Sequence, residues 1–337
     1  MNVWKELLET AVYAPSPHNV QPWRLRILSD ETADLLIEKR RTLPKEDPTG
    51  SFIILSMGLF IEALKIIAGR HSLKLGILLQ QPLTEFTPGK IAGTTDELLP
   101  FARLRVTPAG ELADSSFDLA LFRKRRTSRI SYSAQPIPNE AVEALSQLAR
   151  EWGHVYEQVI DPGTIEQILK RNIEAVFEDL SAPAYHDEIV EWFRFTDRSS
   201  RRTRDGLDYR CMNSSRLSFW LAARAPQLLQ LPVIGALLKK IYRAQLGHVP
   251  AIGMLAGPFW DPESAFETGR FLMRFWLELA KRDLYLHPYG NLVTNKSAAG
   301  WCLDLLGIPG IWLIFRIGFS KVPPQSYRRT VEEVLVD

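Results

Sequence analysis

The chain has 337 residues, 46% of them hydrophobic and 24% charged, with a formal net charge of +2. That length allows one large domain or two ordinary ones, the composition excludes a mainly disordered chain, and the near-neutral charge implies no general affinity for polyanions. Two cysteines, Cys211 and Cys302, without a C-x-x-C pair, argue against a disulfide scaffold or a cysteine-rich metal site and make a reducing cytoplasm the simplest compartment.

The opening "MNVWKELLETAVYA" reads as an amphipathic helix over about 3–14, without the charged start and apolar core of a signal peptide. "YAPSPHNVQPW" follows, with Pro15, Pro17 and Pro22 closely spaced. It reads either as a stiff connector or as a loop held rigid so that Ser16 and Asn19 can touch a ligand. Strands are expected at "WRLRIL", "ADLLIEK", "LKLGILLQ" and "FARLRV", with a long apolar helix from about Phe52 to Gly69 and loops over 43–51 and 81–100. From 114 a second unit begins. It holds the basic run "RKRRTSR", a helix with Asn139 as N-cap, a strand "HVYEQVI", and a helix opened by Asp161 and Pro162. Residues 181–262 read as an irregular insertion. A helix over about 263–282, a strand "LYLHPY", a helix "KSAAGWCLDLLG", a strand "IWLIFRIGF" and a tail with Arg328 and Arg329 complete the chain.

No uncharged apolar run reaches the ~18–20 residues that span a bilayer. The nearest, 218–243, is interrupted by Arg224, Pro226 and Pro232, and reads as a buried or lid-forming helical pair, with a membrane-surface element as the alternative.

Two segments repeat each other. "GLFIEALKIIAGRHSLKL" from Gly58 aligns without a gap on "GRFLMRFWLELAKRDLYL" from Gly269, pairing Phe60 with Phe271 and Leu64 with Phe275. Each is a helix running through a basic turn into a strand. The helix and strand at 139–160 likewise echo 3–28. An α+β fold of two related halves, sharing a buried helical interface, is the expectation.

Several residues could carry chemistry. Arg125 and Arg129, four apart with Thr127 between them, suit bidentate binding of a terminal phosphate, although a basic run alone is more simply a solvated patch. Arg328 and Arg329 form a second pair. The six histidines are scattered, so no metal site is expected, and there is no Walker loop, no G-x-G-x-x-G, no nucleophile elbow and no aromatic interleaving for nucleic acid.

"APSPHNVQPW" resembles the A-P-S-x-x-N-x-Q-P-W loop of the nitroreductase-like flavoproteins, and "RRTSR" resembles their R-x-[ST]-x-[RK] phosphate motif. "LHPYGN" (286–291) and "RIGFSKVPPQSYRRTVEEVL" are similar to the family's flavin-N5 loop and C-terminal ending. The resemblance implies an α+β nitroreductase-like fold that binds FMN, with NADPH or NADH as reductant of a small-molecule substrate. Arg125, Thr127, Arg129, Arg328 and Arg329 would hold the phosphate and ribityl end. Pro15, Ser16 and Asn19 would line the ring, and Tyr289 and Gly290 would place backbone near N5. No side chain is required as acid or base, since the flavin carries the redox chemistry.

The motif order is reversed relative to ordinary members, whose phosphate motif precedes the loop and whose site is completed by a second subunit. Here each half keeps one complementary portion. The arrangement resembles the fused, Acg-like branch: halves 1–113 and 114–337 forming an internal pseudo-dimer, one FMN site per chain, and a helical lid over about 181–262. A flavin-holding protein without turnover and a biosynthetic dehydrogenase or oxidase are alternatives. A further homodimer is left open.

Overall fold

The computed structural model describes residues 2–110 and 116–337. The expected boundary between halves at 113/114 lies outside the described residues. The first part comprises α1 (Val3–Ala11), β1 (Trp23–Ile27), β2 (Thr32–Glu38), α2 (Ser51–Arg70), β3 (Leu73–Leu79), α3 (Pro88–Gly93) and β4 (Leu98–Pro108). Next come α4 (Ala120–Lys124), α5 (Asn139–Glu151), β5 (Val155–Val159) and α6 (Pro162–Ser181). An inserted stretch carries α7 (Pro183–Glu191), β6 (Phe193–Arg194), α8 (Asp197–Thr203), β7 (Leu207–Asp208), α9 (Arg216–Arg224), α10 (Gln227–Gln230) and α11 (Pro232–Leu246). The chain continues through β8 (Ala251–Ala256), α12 (Pro262–Lys281), β9 (Tyr285–Pro288), α13 (Asn291–Thr294), α14 (Lys296–Leu306), β10 (Ile311–Gly318), α15 (Val331–Val334) and β11 (Leu335–Val336).

Local signals account for many of the boundaries. Asn2 caps α1, its side chain accepting from the Trp4 amide at 3.0 Å, and Asp161 caps α6 by accepting from the Thr164 amide at 2.7 Å. Asn139, expected as a cap, instead starts α5, because Pro138 takes the cap position without a side-chain hydrogen bond. The expected loop 81–100 contains a 3-10 turn over Leu83–Phe86 and the short α3, both buried on one side.

Two sheets repeat one topology. The first has the order β11-β1-β2-β4-β3 and the second β5-β8-β10-β9. Setting β11 aside, β1, β2, β4 and β3 correspond one for one to β5, β8, β10 and β9, and α1 and α5 precede their first strands. Strand β8 corrects the expected insertion of 181–262. Residues 251–256 are wholly buried and paired between β5 and β10, so the inserted part ends before Ala251. Among the described residues β11 is the one crossing strand, running parallel to β1 with Leu25 opposite Leu335.

Between the sheets lie α2 and α12, the most extensively packed helix pair. Seventeen of the 20 residues of α2 are buried, so its apolar character on every face reflects a central position. It is the one described helix long and apolar enough to cross a membrane by length and composition, and it is enclosed by protein. Trp23 stacks on Phe60 with centroids 4.6 Å apart on the first side, and Phe271, Phe275 and Phe315 continue the same core on the second. A charge bridge also joins the two helices: the carboxylate of Glu62, fully buried on α2, accepts from Arg270 at 3.0 Å and from Arg274 at 2.5 Å.

The helices touch backbone to backbone at the repeat. A Cβ placed on Gly58 would lie 2.2 Å from the Phe266 carbonyl oxygen, and one on Gly269 would lie 2.2 Å from the Leu55 carbonyl oxygen. The alignment that matches Gly58 to Gly269 also matches Leu55 to Phe266, so the contact is reciprocal. Gly58→Ala is expected to destabilise by at least about 1–3 kcal/mol, the usual cost of overpacking, since the obstacle is backbone. Gly300→Ala, where nothing lies within 4 Å, should be neutral or stabilising. Chemical denaturation of both variants checks this; equal stabilities would refute the close-contact account.

Candidate functional site

The opening loop is built on unusual backbone. His18, Asn19 and Gln21 all adopt left-handed conformations, with φ of 46°, 56° and 52°. Such conformations in non-glycine residues cost energy and persist only where the surroundings fix them. Here the Ser16 hydroxyl accepts from the Gln21 amide at 2.9 Å, and the buried Gln21 side chain accepts from the Arg329 amide at 2.9 Å. Pro15 is buried behind the loop.

Three separated motifs converge on this loop. Thr127 bridges to Leu286 in parallel, and the Ser128 amide donates to the Leu286 carbonyl at 3.1 Å, so "RRTSR" runs beside "LHPYGN". Arg125 folds back to donate to the Tyr13 carbonyl at 3.0 Å, and its guanidinium carbon sits 4.5 Å from the Trp276 ring centre. The Asn19 side-chain oxygen accepts from Arg328 at 2.5 Å, and its amide donates to the Tyr327 carbonyl at 3.0 Å. Pro15, Ser16 and Asn19 therefore meet Arg125, Thr127, Arg129 and Arg328 in one region.

Two expected site residues are occupied elsewhere. Arg329 is buried in the first sheet, donating to the carbonyls of Gln21 and Trp23, both at 2.6 Å, and to Glu38 at 3.1 Å. Its charge is met by Glu38, so it acts as an anchor for the tail. The Tyr289 amide donates to the Ile314 carbonyl at 2.7 Å, so that group is spent within the fold. Gly290 has nothing within 4 Å of where a side chain would start.

The electrostatics divide sharply. Glu38 accepts from Arg24, Arg40, Arg41 and Arg329. Burial alone would raise its pKa, but these arginines hold its carboxyl down at about 2, against an ordinary 4.5. By contrast, among the described residues no carboxylate lies within ion-pair distance of Arg125, Arg129, Arg328 or Arg316. The Nε atoms of all four are buried without a hydrogen-bond partner, as is that of Arg329, which differs from them in having Glu38 as its counter-charge. Burial, with Arg328 nearby, pulls Arg125 down to about 9; burial likewise pulls Arg328 to about 10 and lowers Arg129.

Arg316 escaped the sequence reading. It is fully buried, donates to the Ser128 carbonyl at 3.3 Å and stacks on Tyr132 at 4.8 Å. Its signal was a single charge inside the apolar strand "IWLIFRIGF". Buried His287 adjoins Arg129; burial, with Arg129 and Arg316, drives its pKa well below 6.5, so it is neutral.

The inserted stretch covers the region. The Gly206 amide donates to the Asn19 carbonyl at 3.2 Å, the Gln21 side chain donates to the Arg204 carbonyl at 2.9 Å, and Arg41 pairs with Asp205 at 2.9 Å. Arg129 donates to the Cys211 carbonyl at 3.2 Å, and Asn213 donates to the Arg129 carbonyl at 3.2 Å. Beside this cover, a cavity of about 700 Å3 is lined by Tyr13, Arg123, Arg210, Tyr327 and Arg328.

No protein-family model matches the chain. It is 27% identical over 191 residues to a provisionally named NAD(P)H nitroreductase of Mycobacterium tuberculosis, found in two strains, across 56% of this chain and 50% of the relative. The chain thus spans about half the length of the curated relatives it matches. Similar solved structures include the FMN-dependent nitroreductase NfnB of Mycobacterium smegmatis in complex with NADPH, at 15% identity and TM-score 0.38, over 62% of this chain and 96% of that one. A provisionally assigned nitroreductase of Anabaena variabilis matches at 10% identity and TM-score 0.44, over 95% of this chain and 74% of that one. Over about half of their length, then, the chain is similar to proteins named as NAD(P)H nitroreductases, and its own fold is α+β.

Two outcomes are expected of these charges. In the folded protein Glu38 titrates near 2, so the stability it contributes is complete above about pH 4.5 and is lost as pH falls from there to about 2. Glu38→Gln should abolish that acid step and cost about 3–5 kcal/mol at neutral pH, since buried arginines lose their counter-charge. Denaturation followed against pH would show an unchanged step if the account is wrong. Separately, inorganic phosphate should stabilise the unliganded protein beyond chloride of equal ionic strength, by about 1.4 kcal/mol at ten times Kd. The gain should vanish in Arg125→Met with Arg328→Met, and equal effects of the two salts in thermal melts would exclude an anion site.

Proposed function

We propose that the chain is an FMN-dependent oxidoreductase built as an internal pseudo-dimer of halves 1–113 and 114–337, with one flavin site per chain beneath the inserted stretch. The observation that carries this reading is the cluster of guanidinium groups with no carboxylate within ion-pair distance among the described residues, set against the rigid loop of the other half. Buried like charges are costly unless an anion meets them. Free Nε groups on Arg125, Arg129 and Arg328 fit a phosphate, which guanidinium binds through paired donors. Thr127 stands between the first two. Pro15, Ser16 and Asn19 would line the ring from the first half, and the open space at Gly290 suits close approach of a ligand to backbone.

FMN, when bound, supplies hydride acceptance from NADH or NADPH and electron delivery to a nitroaromatic, quinone or enone acceptor. The chain's own residues bind and orient. Arg125 is braced on Trp276, Arg328 is tied to Asn19, and the cover formed by Arg204 to Asn213 shields these charges from water. Neutral His287 places no extra charge beside Arg129.

The reading expects a yellow protein with a flavin spectrum; a colourless protein that gains none on incubation with FMN contradicts it. Arg125→Ala with Arg129→Ala should weaken flavin binding by ~1.5–3 kcal/mol per charged hydrogen bond lost, read by fluorescence titration. The hydrogen bonds that seat Gly206 and Arg204 on the loop favour a second reading, a flavin-holding protein without turnover. Anaerobic stopped-flow mixing separates the two: rapid bleaching by NADH or NADPH supports the enzyme, and no bleaching with either supports the holder.

A further inference from the structure

The outer surface of the insertion has a character that flavin binding does not require. Of the seventeen large apolar side chains exposed among the described residues, eight fall between Leu217 and Ile241. On α9, Leu217, Trp220 and Arg224 follow helix-turn spacing along one face. On α11, Val233, Leu237 and Ile241 recur every four residues, and Val233 is 81% exposed. The opposite positions face inward: Phe219 and Ala223 on α9, and Gly235 and Leu246 on α11, are buried. These helices are therefore two-sided, with one apolar side docked on the protein and a second turned to solvent.

Charge identifies what that second side meets. Between Asp208 and Asp261 the sequence contains no acidic residue but six basic ones. Arg210, Arg216 and Arg243 pair with Asp208, Asp197 and Glu166, outside the basic stretch or at its edge. Arg224 and Lys240 are exposed and make no ion pair among the described residues. A second copy of this chain would bring the same basic groups against each other, because a two-fold contact is self-complementary, and the segment offers no carboxylate in return. Aliphatic side chains flanked by uncompensated cations, with a tryptophan among them, match the headgroup and upper acyl region of an acidic bilayer.

We infer that the α9–α11 face docks on an anionic lipid surface. The inner side of the same insertion holds Asn213 on Arg129 and places Tyr242 beside His287. Docking thus sets the covered site against the bilayer, with the insertion between them.

The test is flotation of the full chain with vesicles of phosphatidylcholine alone and with about a quarter phosphatidylglycerol. The chain should float with the anionic vesicles, stay behind with the neutral ones, and be released as salt rises from about 0.1 to about 0.5 M. Arg224→Ala and Lys240→Ala should each lower partitioning about fivefold. Val233→Asp with Leu237→Asp should abolish it without shifting the thermal melt, since both side chains face solvent. Equal flotation on both compositions, or flotation that survives the double aspartate variant, overturns the inference. So does absence of flotation on either composition; a dimer in ultracentrifugation that the same variant dissolves would then assign the face to a second copy. None of these readouts depends on flavin content, so they stand apart from the tests of the proposed function.

Discussion

Gly58 and Gly269 set how closely α2 and α12 cross, and both sheets are carried on that crossing. Because neither residue has a side chain, the Leu55 and Phe266 carbonyls approach the opposite helix directly. A buried ion group, Glu62 with Arg270 and Arg274, then fixes the helices along their length. With the two axes held, each flanking sheet has a defined position, and the first sheet's loop comes to lie beside the second half's arginines. The candidate site is a product of the interface and belongs to neither half alone.

Within that frame, two kinds of buried arginine serve different ends. Arg24, Arg41 and Arg329 share Glu38 and stabilise the fold without any ligand. Among the described residues Arg125, Arg129, Arg316 and Arg328 meet carbonyls, aromatic faces and the Ser326 hydroxyl but no carboxylate, so their desolvation is incompletely offset. Sequence proximity conceals the division: Arg328 and Arg329 are adjacent, yet they point into opposite classes of environment.

The same distinction explains what could be read in the chain beforehand. Helices such as α2 and α12, the strand pattern and the repeat are local or periodic signals, and the structure follows them closely. The loop and the phosphate-like motif stood out because prolines and closely spaced arginines are conspicuous. What escaped notice depends on tertiary partners. β8 is a six-residue apolar run whose strand character follows from lying between β5 and β10. The left-handed backbone at His18, Asn19 and Gln21 is imposed by Ser16, Arg204, Arg329 and Gly206, most of them distant in sequence. The engagement of Arg329 and of the Tyr289 amide was invisible for the same reason: each is decided by an acceptor on another strand.

The crossing strand β11 has a consequence for the order of events as the chain is made. Asn19 and Arg328 are 309 residues apart, and the tail that carries Arg328 is held by pairing with β1, which is synthesised long before it. At bacterial or eukaryotic elongation rates, roughly 15–60 s pass between the two. During that interval the strained loop lacks Arg328 and Arg329 and β1 is an open edge, and for most of it α2 has no α12 to cover it. Until α12 and the tail are made, the first half therefore keeps an apolar helix and an open sheet edge uncovered.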